Sequence, residues 1–210
     1  MQYDIIVADP PWAFGDRLQK MKAPTKRSAA SQYSTMSATE IAALDVGKLA
    51  NPEHCVLALW VPSTLLQDGF MVMDAWGFAF KQTYVWVKTK KNLKEKLLKM
   101  LKLGQDVDPN NMMAFGMGRL FRQTHELALI GTMGKVYDSL ENKSQRSVLF
   151  DLNQGHSTKP EGLQDSLELM FPHARKLELF ARRPRATWAT IGDAVTGKDI
   201  KESIQGLITL

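Results

Sequence analysis

An α/β fold built on a largely parallel sheet is what this sequence predicts. Short apolar runs of strand character alternate along the chain with stretches whose apolar residues recur at helical spacing. Two polar segments, Asp9-Pro10-Pro11-Trp12 and Ala181-Arg182-Arg183, each follow the end of such a run. In open α/β sheets that edge is where ligands bind.

The elements follow in order. Residues 3–8 read as a short strand buried on both faces, and Asp9-Pro10-Pro11-Trp12 stops it abruptly. Residues 13–36 show little periodicity and carry Arg17, Lys20, Lys22, Lys26 and Arg27 against the single acid Asp16, which predicts a long basic loop. Ser37-Ala38-Thr39-Glu40 fits a capping box, and Ile41, Leu44 and Leu49 mark the face of the helix it opens. Residues 54–61 read as a second buried strand. Residues 63–75 read as a helix with Leu65, Leu66, Phe70 and Met73 turned to the core. Residues 78–88 alternate, with Phe78, Phe80, Gln82, Tyr84 and Trp86 on one side, as a strand does. A lysine-rich helix is expected over 89–103, a loop over 104–118 and a strand over 126–131. Pro160 suits the first position of a helix over 159–171, and residues 176–181 close the series as a strand.

Composition bounds the function classes. The 210 residues suit one domain with a real core, 44 % of them are hydrophobic, and no apolar run reaches the length that crosses a bilayer. Met1 to Val7 shows no basic segment or cleavage site of a signal peptide. The single cysteine, Cys55, lies in an apolar run and excludes an internal disulfide. These features lead to the expectation of a reducing, cytoplasmic setting without a membrane partner. The net charge of +5 and a pI near 9.3 are compatible with a polyanionic partner and prove none.

Asp9-Pro10-Pro11-Trp12 carries the sharpest chemistry. The exocyclic amine of adenine is a poor nucleophile because its lone pair is delocalised into the ring. Two acceptors aimed at its N–H bonds would hold it with the lone pair turned toward an electrophilic methyl. The Asp9 carboxylate supplies one acceptor and the Pro10 carbonyl can supply the other, on a turn that two prolines stiffen. Trp12 offers a flat face on which an extruded base could stack. Taken alone, the tetrapeptide is equally well a turn-former after a strand.

Further segments are weaker in isolation. His156-Ser157-Thr158-Lys159-Pro160-Glu161 opens a helix, where free N–H groups and a lysine suit an anion such as a carboxylate, but an ordinary cap reads as well. Glu178 within an apolar strand is unusual for a carboxylate, and Arg182 and Asp193 could hydrogen-bond ribose hydroxyls, while an edge strand with Glu178 paired to a lysine explains the pattern too. The lysines of 89–103 are more often a solvated face than a nucleic-acid grip. Together with the loop 13–36 at the same edge they would form a positive funnel for a phosphate backbone.

In combination these segments resemble the MT-A70 family of N6-adenine methyltransferases, phage and bacterial enzymes included, from about Tyr3 to about Val195. The motifs, in order, are Asp9-Pro10-Pro11-Trp12, Tyr33-Ser34-Thr35-Met36-Ser37, Leu59-Trp60-Val61, Trp76-Gly77-Phe78, Trp86-Val87-Lys88, Gly116-Met117-Gly118-Arg119 with His125-Glu126, His156-Ser157-Thr158-Lys159-Pro160, Glu178-Leu179-Phe180-Ala181-Arg182, and Trp188 with Gly192-Asp193. The resemblance implies a Rossmann-like class I methyltransferase fold, permuted so that the catalytic motif precedes the cofactor motif, with S-adenosylmethionine as methyl donor. It implies Asp9, Pro10, Pro11 and Trp12 as the catalytic segment. It places Asp9, Pro11, His156, Ser157, Lys159, Glu178, Phe180, Arg182 and Asp193 around the cofactor, with Lys159 toward its methionine end. Trp12, Tyr33, Lys88, Arg119 and Glu126 fall near the target base or its backbone. One methyltransferase domain over 1–210 is expected, with 13–36 and 89–118 as target-binding segments.

Two departures stand out. Only eight residues precede Asp9, so any cofactor contact that relatives make from an upstream segment must be built otherwise. Where relatives carry an amide pair, this chain has Asp193-Ala194. Nucleic acid is the expected partner, with double-stranded DNA favoured over RNA. A homodimer and a monomer both remain open. The competing readings are an RNA adenine methyltransferase, a catalytically silent nucleic-acid scaffold and a protein amide methyltransferase. A dinucleotide-dependent oxidoreductase is disfavoured because no Gly-x-Gly-x-x-Gly follows the first strand.

Overall fold

The computed structural model describes residues 2–14, 35–116, 120–153 and 158–209. Its strands are β1 (Ile5–Ala8), β2 (His54–Val61), β3 (Ala79–Thr89), β4 (His125–Gly134), β5 (Val148–Leu152), β6 (Lys176–Leu179) and β7 (Trp188–Ile191). They form one sheet in the order β5-β3-β4-β2-β1-β6-β7. The helices are α1 (Ala38–Ala42), α2 (Leu66–Ala75), α3 (Leu93–Lys102), α4 (Gly162–Met170), α5 (Asp193–Thr196) and α6 (Ile200–Ile208).

The short strand Ile5-Ile6-Val7-Ala8 is apolar at every position because it lies between two parallel neighbours, Ile5 opposite Val56 of β2 and Lys176 of β6, with both faces covered. On one face Ile6 and Ala8 join Leu57, Leu59, Leu177 and Leu179 beneath helices that contribute Ile41, Val72, Met73 and Ile204. On the other face Ile5 and Val7 join Val56, Trp60, Tyr84 and Trp86 beneath Leu163 and Leu167 of α4. Ser37 caps α1 as its spacing predicts: the Glu40 N–H donates to Ser37 Oγ and the Ser37 N–H to the Glu40 carboxylate.

One strand departs from parallel order. β4 runs antiparallel to both β2 and β3, whereas β1, β2, β6 and β7 are parallel, as are β3 and β5. The edge that collects the carboxyl ends of the other strands therefore receives the amino end of β4. His125 and Glu126 arrive there, paired with Val87 and Trp86 of β3.

Several boundaries and faces differ from expectation. The helix expected over 89–103 begins at Leu93 because Asn92 takes the left-handed conformation, and none of its residues is buried. The helix expected over 159–171 begins at Gly162, so Pro160 precedes it. The register shifts between Phe80 and Gln82, so the alternation breaks there. Phe80 is exposed and meets the exposed Phe70 edge to face at 5.0 Å, so Phe70 leaves the core face of α2, where Met73 is buried as expected and Gly69 and Val72 join it. Strands β5 and β7 and helix α6 add to the elements expected. No helix among the described residues is long and apolar enough to cross a membrane.

Candidate active site

The Asp9-Pro10-Pro11-Trp12 turn leaves the middle of the sheet edge, since β1 is flanked on both sides. Its conformation is fixed from within and from outside. The Trp12 N–H donates to the Pro10 carbonyl at 2.9 Å, and Met36 N–H donates to the Pro11 carbonyl at 2.8 Å. Pro10's oxygen thus has one acceptor site in use and one left. The Trp12 side chain is 5 % exposed, and its indole N–H donates to the Trp60 carbonyl at 2.9 Å. Where an open stacking face was expected, the ring is largely buried and fastens the turn to β2, and the residue still contributes to the wall of the cavity that opens toward β4.

Charged groups from four segments meet above this turn. Lys159 Nζ lies 2.8 and 2.9 Å from the two carboxylate oxygens of Asp9 and 3.2 Å from Glu126 Oε2. Lys88 Nζ lies 2.5 Å from Glu126 Oε1. The result is an alternating row, Asp9, Lys159, Glu126, Lys88. Burial opposes the charge on Lys159, but the carboxylates of Asp9 and Glu126 outweigh it and hold the ammonium above its ordinary pKa. Burial likewise opposes the charge on Glu126, and Lys159 and Lys88 outweigh it, so that carboxyl lies below its ordinary range. Lys159 also stands 5.5 Å from the Trp60 ring centroid.

Two cavities share the Asp9, Trp60, Lys159 and Arg182 wall. The first, about 180 Å³, opens between β1, β6 and α4, and Gln164, Glu178 and Phe180 line it. The second, about 210 Å³, opens toward β4, and Pro10, Pro11, Gln123 and Glu126 line it. A reaction between two separately bound molecules needs such an arrangement: two rooms that meet at one polar centre.

The floor of the first cavity is unusual. Burial raises the Glu178 carboxyl above its ordinary range, partly offset by a hydrogen bond from Gln164. Gln164 is 5 % exposed, and its Oε1 is a buried acceptor with no partner among the described residues. Beyond Glu178 the chain turns at Phe180 with φ of +61°, a left-handed conformation rare for a bulky residue. Gly192, at the end of β7, packs against this turn: a Cβ there would lie 2.4 Å from the Ala181 oxygen. The loop that follows is clasped to α4 by Arg185, which reaches Glu161, Asp165 and Glu168 at 2.6, 2.5 and 3.0 Å. Arg183 pairs with Glu161, and the Trp188 indole N–H donates to Glu168.

The structure thus brings Asp9, Pro10, Pro11, Trp12, Lys159, Glu126, Glu178, Phe180 and Arg182 to the walls of two adjoining cavities, with Lys88 bound behind Glu126. Asp193 is exposed, lines neither cavity and accepts the N–H of Ala194. Tyr33, Arg119, His156 and Ser157 lie outside the described residues. Gln164, Gln123 and Arg185 were not singled out in the sequence, and Trp60 was named there only as part of the Leu59-Trp60-Val61 motif. Gln164 had a readable signal: a glutamine one residue from Leu163 and three from Leu167, on the apolar face of α4.

The mostly parallel sheet and the polar centre at its carboxyl edge define a Rossmann-like methyltransferase fold. The MT-A70 profile matches residues 3–194, and the chain belongs to the MT-A70 family. It is 26 % identical to the Type II methyltransferase M.MunI of a Mycoplasma species, over 99 % of this chain and 84 % of that protein. It is 26 % identical to the N(6)-adenosine-methyltransferase MT-A70-like protein of Arabidopsis thaliana, over 93 % of this chain and 24 % of that one. It is 23 % identical to the human N(6)-adenosine-methyltransferase catalytic subunit METTL3, over 93 % of this chain and 29 % of that one. The chain therefore spans most of the bacterial relative and about a quarter of the eukaryotic ones.

Proposed function

We propose that this chain transfers a methyl group from S-adenosylmethionine to the N6 amine of adenine in nucleic acid, with duplex DNA as the favoured substrate. The observation that carries the reading is the Asp9 carboxylate at the wall shared by two cavities. S-adenosylmethionine, when bound, supplies an electrophilic methyl on a sulfonium. The lining of the first cavity suits such a ligand: Glu178 and the Gln164 Oε1, which has no partner among the described residues, would accept from its ammonium and hydroxyl groups, and Arg182 would face its carboxylate. The second cavity would take the adenine.

Asp9 and the free acceptor site of the Pro10 carbonyl would hold the two N–H bonds of the amine, turning its lone pair toward the first cavity. Both Asp9 oxygens keep further acceptor capacity beside Lys159, whose pairing fixes the carboxylate's orientation. Glu126 lines the same cavity and can accept from, or be approached by, the adenine edge. The amine loses its proton after transfer, when the nitrogen carries positive charge and is acidic. Duplex DNA is favoured because the chain matches most of the length of a Type II methyltransferase but a quarter of the adenosine methyltransferases. The basic segments 13–36 and 89–118 are proposed to hold the backbone.

Expression in bacteria that lack adenine methylation, followed by digestion of genomic DNA and total RNA to nucleosides, tests the reading. N6-methyladenine in DNA supports it. N6-methyladenosine confined to RNA moves the substrate to RNA. Methyl on neither, with labelled protein, favours the amide reading.

A further inference from the structure

Two large apolar side chains stand almost wholly in solvent beside the target-side cavity. Leu120 is 95 % exposed and Phe121 88 % exposed. Single exposed apolar residues are ordinary, but these two are adjacent and sit on a built arm. Ala114 N–H donates to the Lys88 carbonyl, Lys88 N–H to the Thr124 carbonyl, and Gly116 N–H to the Gln123 carbonyl, so main-chain bonds root the arm on the end of β3. The Gln123 side chain lines the cavity that also holds Asp9 and Glu126, and it donates to Ser63 Oγ at 3.3 Å. Phe121 and Leu120 precede it by two and three positions.

The chemistry around the tip selects an occupant. Arg122 lays its guanidinium 5.7 Å from the Phe115 ring, and Lys90, Lys91 and Lys94 follow the strand on which the arm is rooted. An apolar pair adjoining Arg122, with lysines in the segment that follows β3, is complementary to stacked bases bordered by phosphates. A paired adenine cannot reach the cavity from inside a duplex, and its extrusion leaves a gap in the stack. We propose that Phe121, backed by Leu120, is a wedge that enters the base stack of a duplex and fills the gap left by the target adenine. The inference rests on the adenine-methyltransferase reading above and adds how a paired base comes to the site.

The experiment compares methyl transfer by wild type, Phe121→Ala and Phe121→Leu on three forms of one unmethylated linear plasmid. These are native duplex, heat-denatured strands, and duplex made with partial deoxyuridine and treated with uracil glycosylase to leave abasic sites opposite adenines. The expected result is a loss of roughly tenfold or more on native duplex for Phe121→Ala, the scale of one stacked ring. Phe121→Leu should lose less, and all three proteins should stay within about twofold on one or both of the opened substrates. An equal loss on native and opened DNA, no loss on native duplex, or wild-type activity confined to denatured strands would overturn the wedge. Wild type silent on all three, and on RNA, would overturn the parent reading instead, and the wedge with it. At 88 % exposure the substitution should leave thermal stability unchanged, and a circular-dichroism melt checks this.

Discussion

The ammonium of Lys159 sits 2.8 and 2.9 Å from the two oxygens of Asp9, across 150 positions of sequence. It also bridges to Glu126, so one cation separates two part-buried carboxylates. Removing it without changing shape should expose that dependence. Lys159→Met is expected to cost about 3 kcal/mol of stability at neutral pH, the scale of breaking a buried pair by deleting one partner. The deficit should shrink toward pH 4, roughly the ordinary carboxyl range, as one of the facing acids takes up a proton. Urea denaturation at the two pH values measures both effects; unchanged stability at neutral pH would show that the row contributes nothing.

The wild-type protein should carry the same row as a pH window. Glu126 is depressed in the fold, so its contribution is present above the unfolded carboxyl value and is lost as pH falls through the lower folded value. Lys159 is raised, so its contribution is present below the unfolded lysine value and is lost as pH rises through the higher folded one. The full contribution therefore spans roughly pH 5 to 10. A double-mutant cycle on Lys159→Met and Glu126→Gln, run across that range, should give a constant coupling inside the window and a smaller one outside it.

Glu178 has the opposite sign. Burial raises its pKa, so its charged form weighs against the fold above the ordinary carboxyl range, and that penalty disappears as pH falls. Glu178→Gln should raise the thermal midpoint at neutral pH by a few degrees while weakening S-adenosylmethionine binding about tenfold or more by calorimetry. A lower midpoint would contradict the burial penalty, and unchanged affinity would remove Glu178 from the proposed cofactor site.

Gly192 is where a side chain has no room. Its Cβ would meet the Ala181 oxygen at 2.4 Å and the Ala181 nitrogen at 2.7 Å, both backbone atoms with little freedom to yield. Gly192→Ala is expected to destabilise by about 2 kcal/mol, as overpacking does, and to weaken cofactor binding by displacing the Phe180 turn. Chemical denaturation and cofactor titration read the two effects separately.

What the sequence disclosed was mostly local. β1, its abrupt stop and the Ser37 capping box depend on a few adjacent residues, and they are found where those residues predict them. β5 was hidden because Val148 and Phe150 are exposed at the sheet margin, so no buried pattern marks it. α6 carried a readable repeat, Ile200, Ile204, Leu207 and Ile208, after the capping residue Asp199. The reversal of β4 is a property of strand pairing, and no residue within Leu127–Gly134 announces it. The contact of Lys159 with Glu126 follows from that reversal and adds to its contact with Asp9, so a lysine that reads as an anion site at a helix start proves to be the centre of a charged row. Trp12 was legible as important, but its burial depended on the Trp60 carbonyl, far along the chain.

The most direct test of the central claim is labelled methyl transfer from S-adenosylmethionine to matched DNA and RNA by the wild-type protein and Asp9→Ala, with cofactor affinity measured on both proteins. The predicted result is label recovered as N6-methyladenine with wild type, a loss of transfer to background in Asp9→Ala, and cofactor affinity within a few fold. Near-normal turnover by Asp9→Ala would contradict the account, because the carboxylate at the meeting of the two cavities would then not hold the reacting amine.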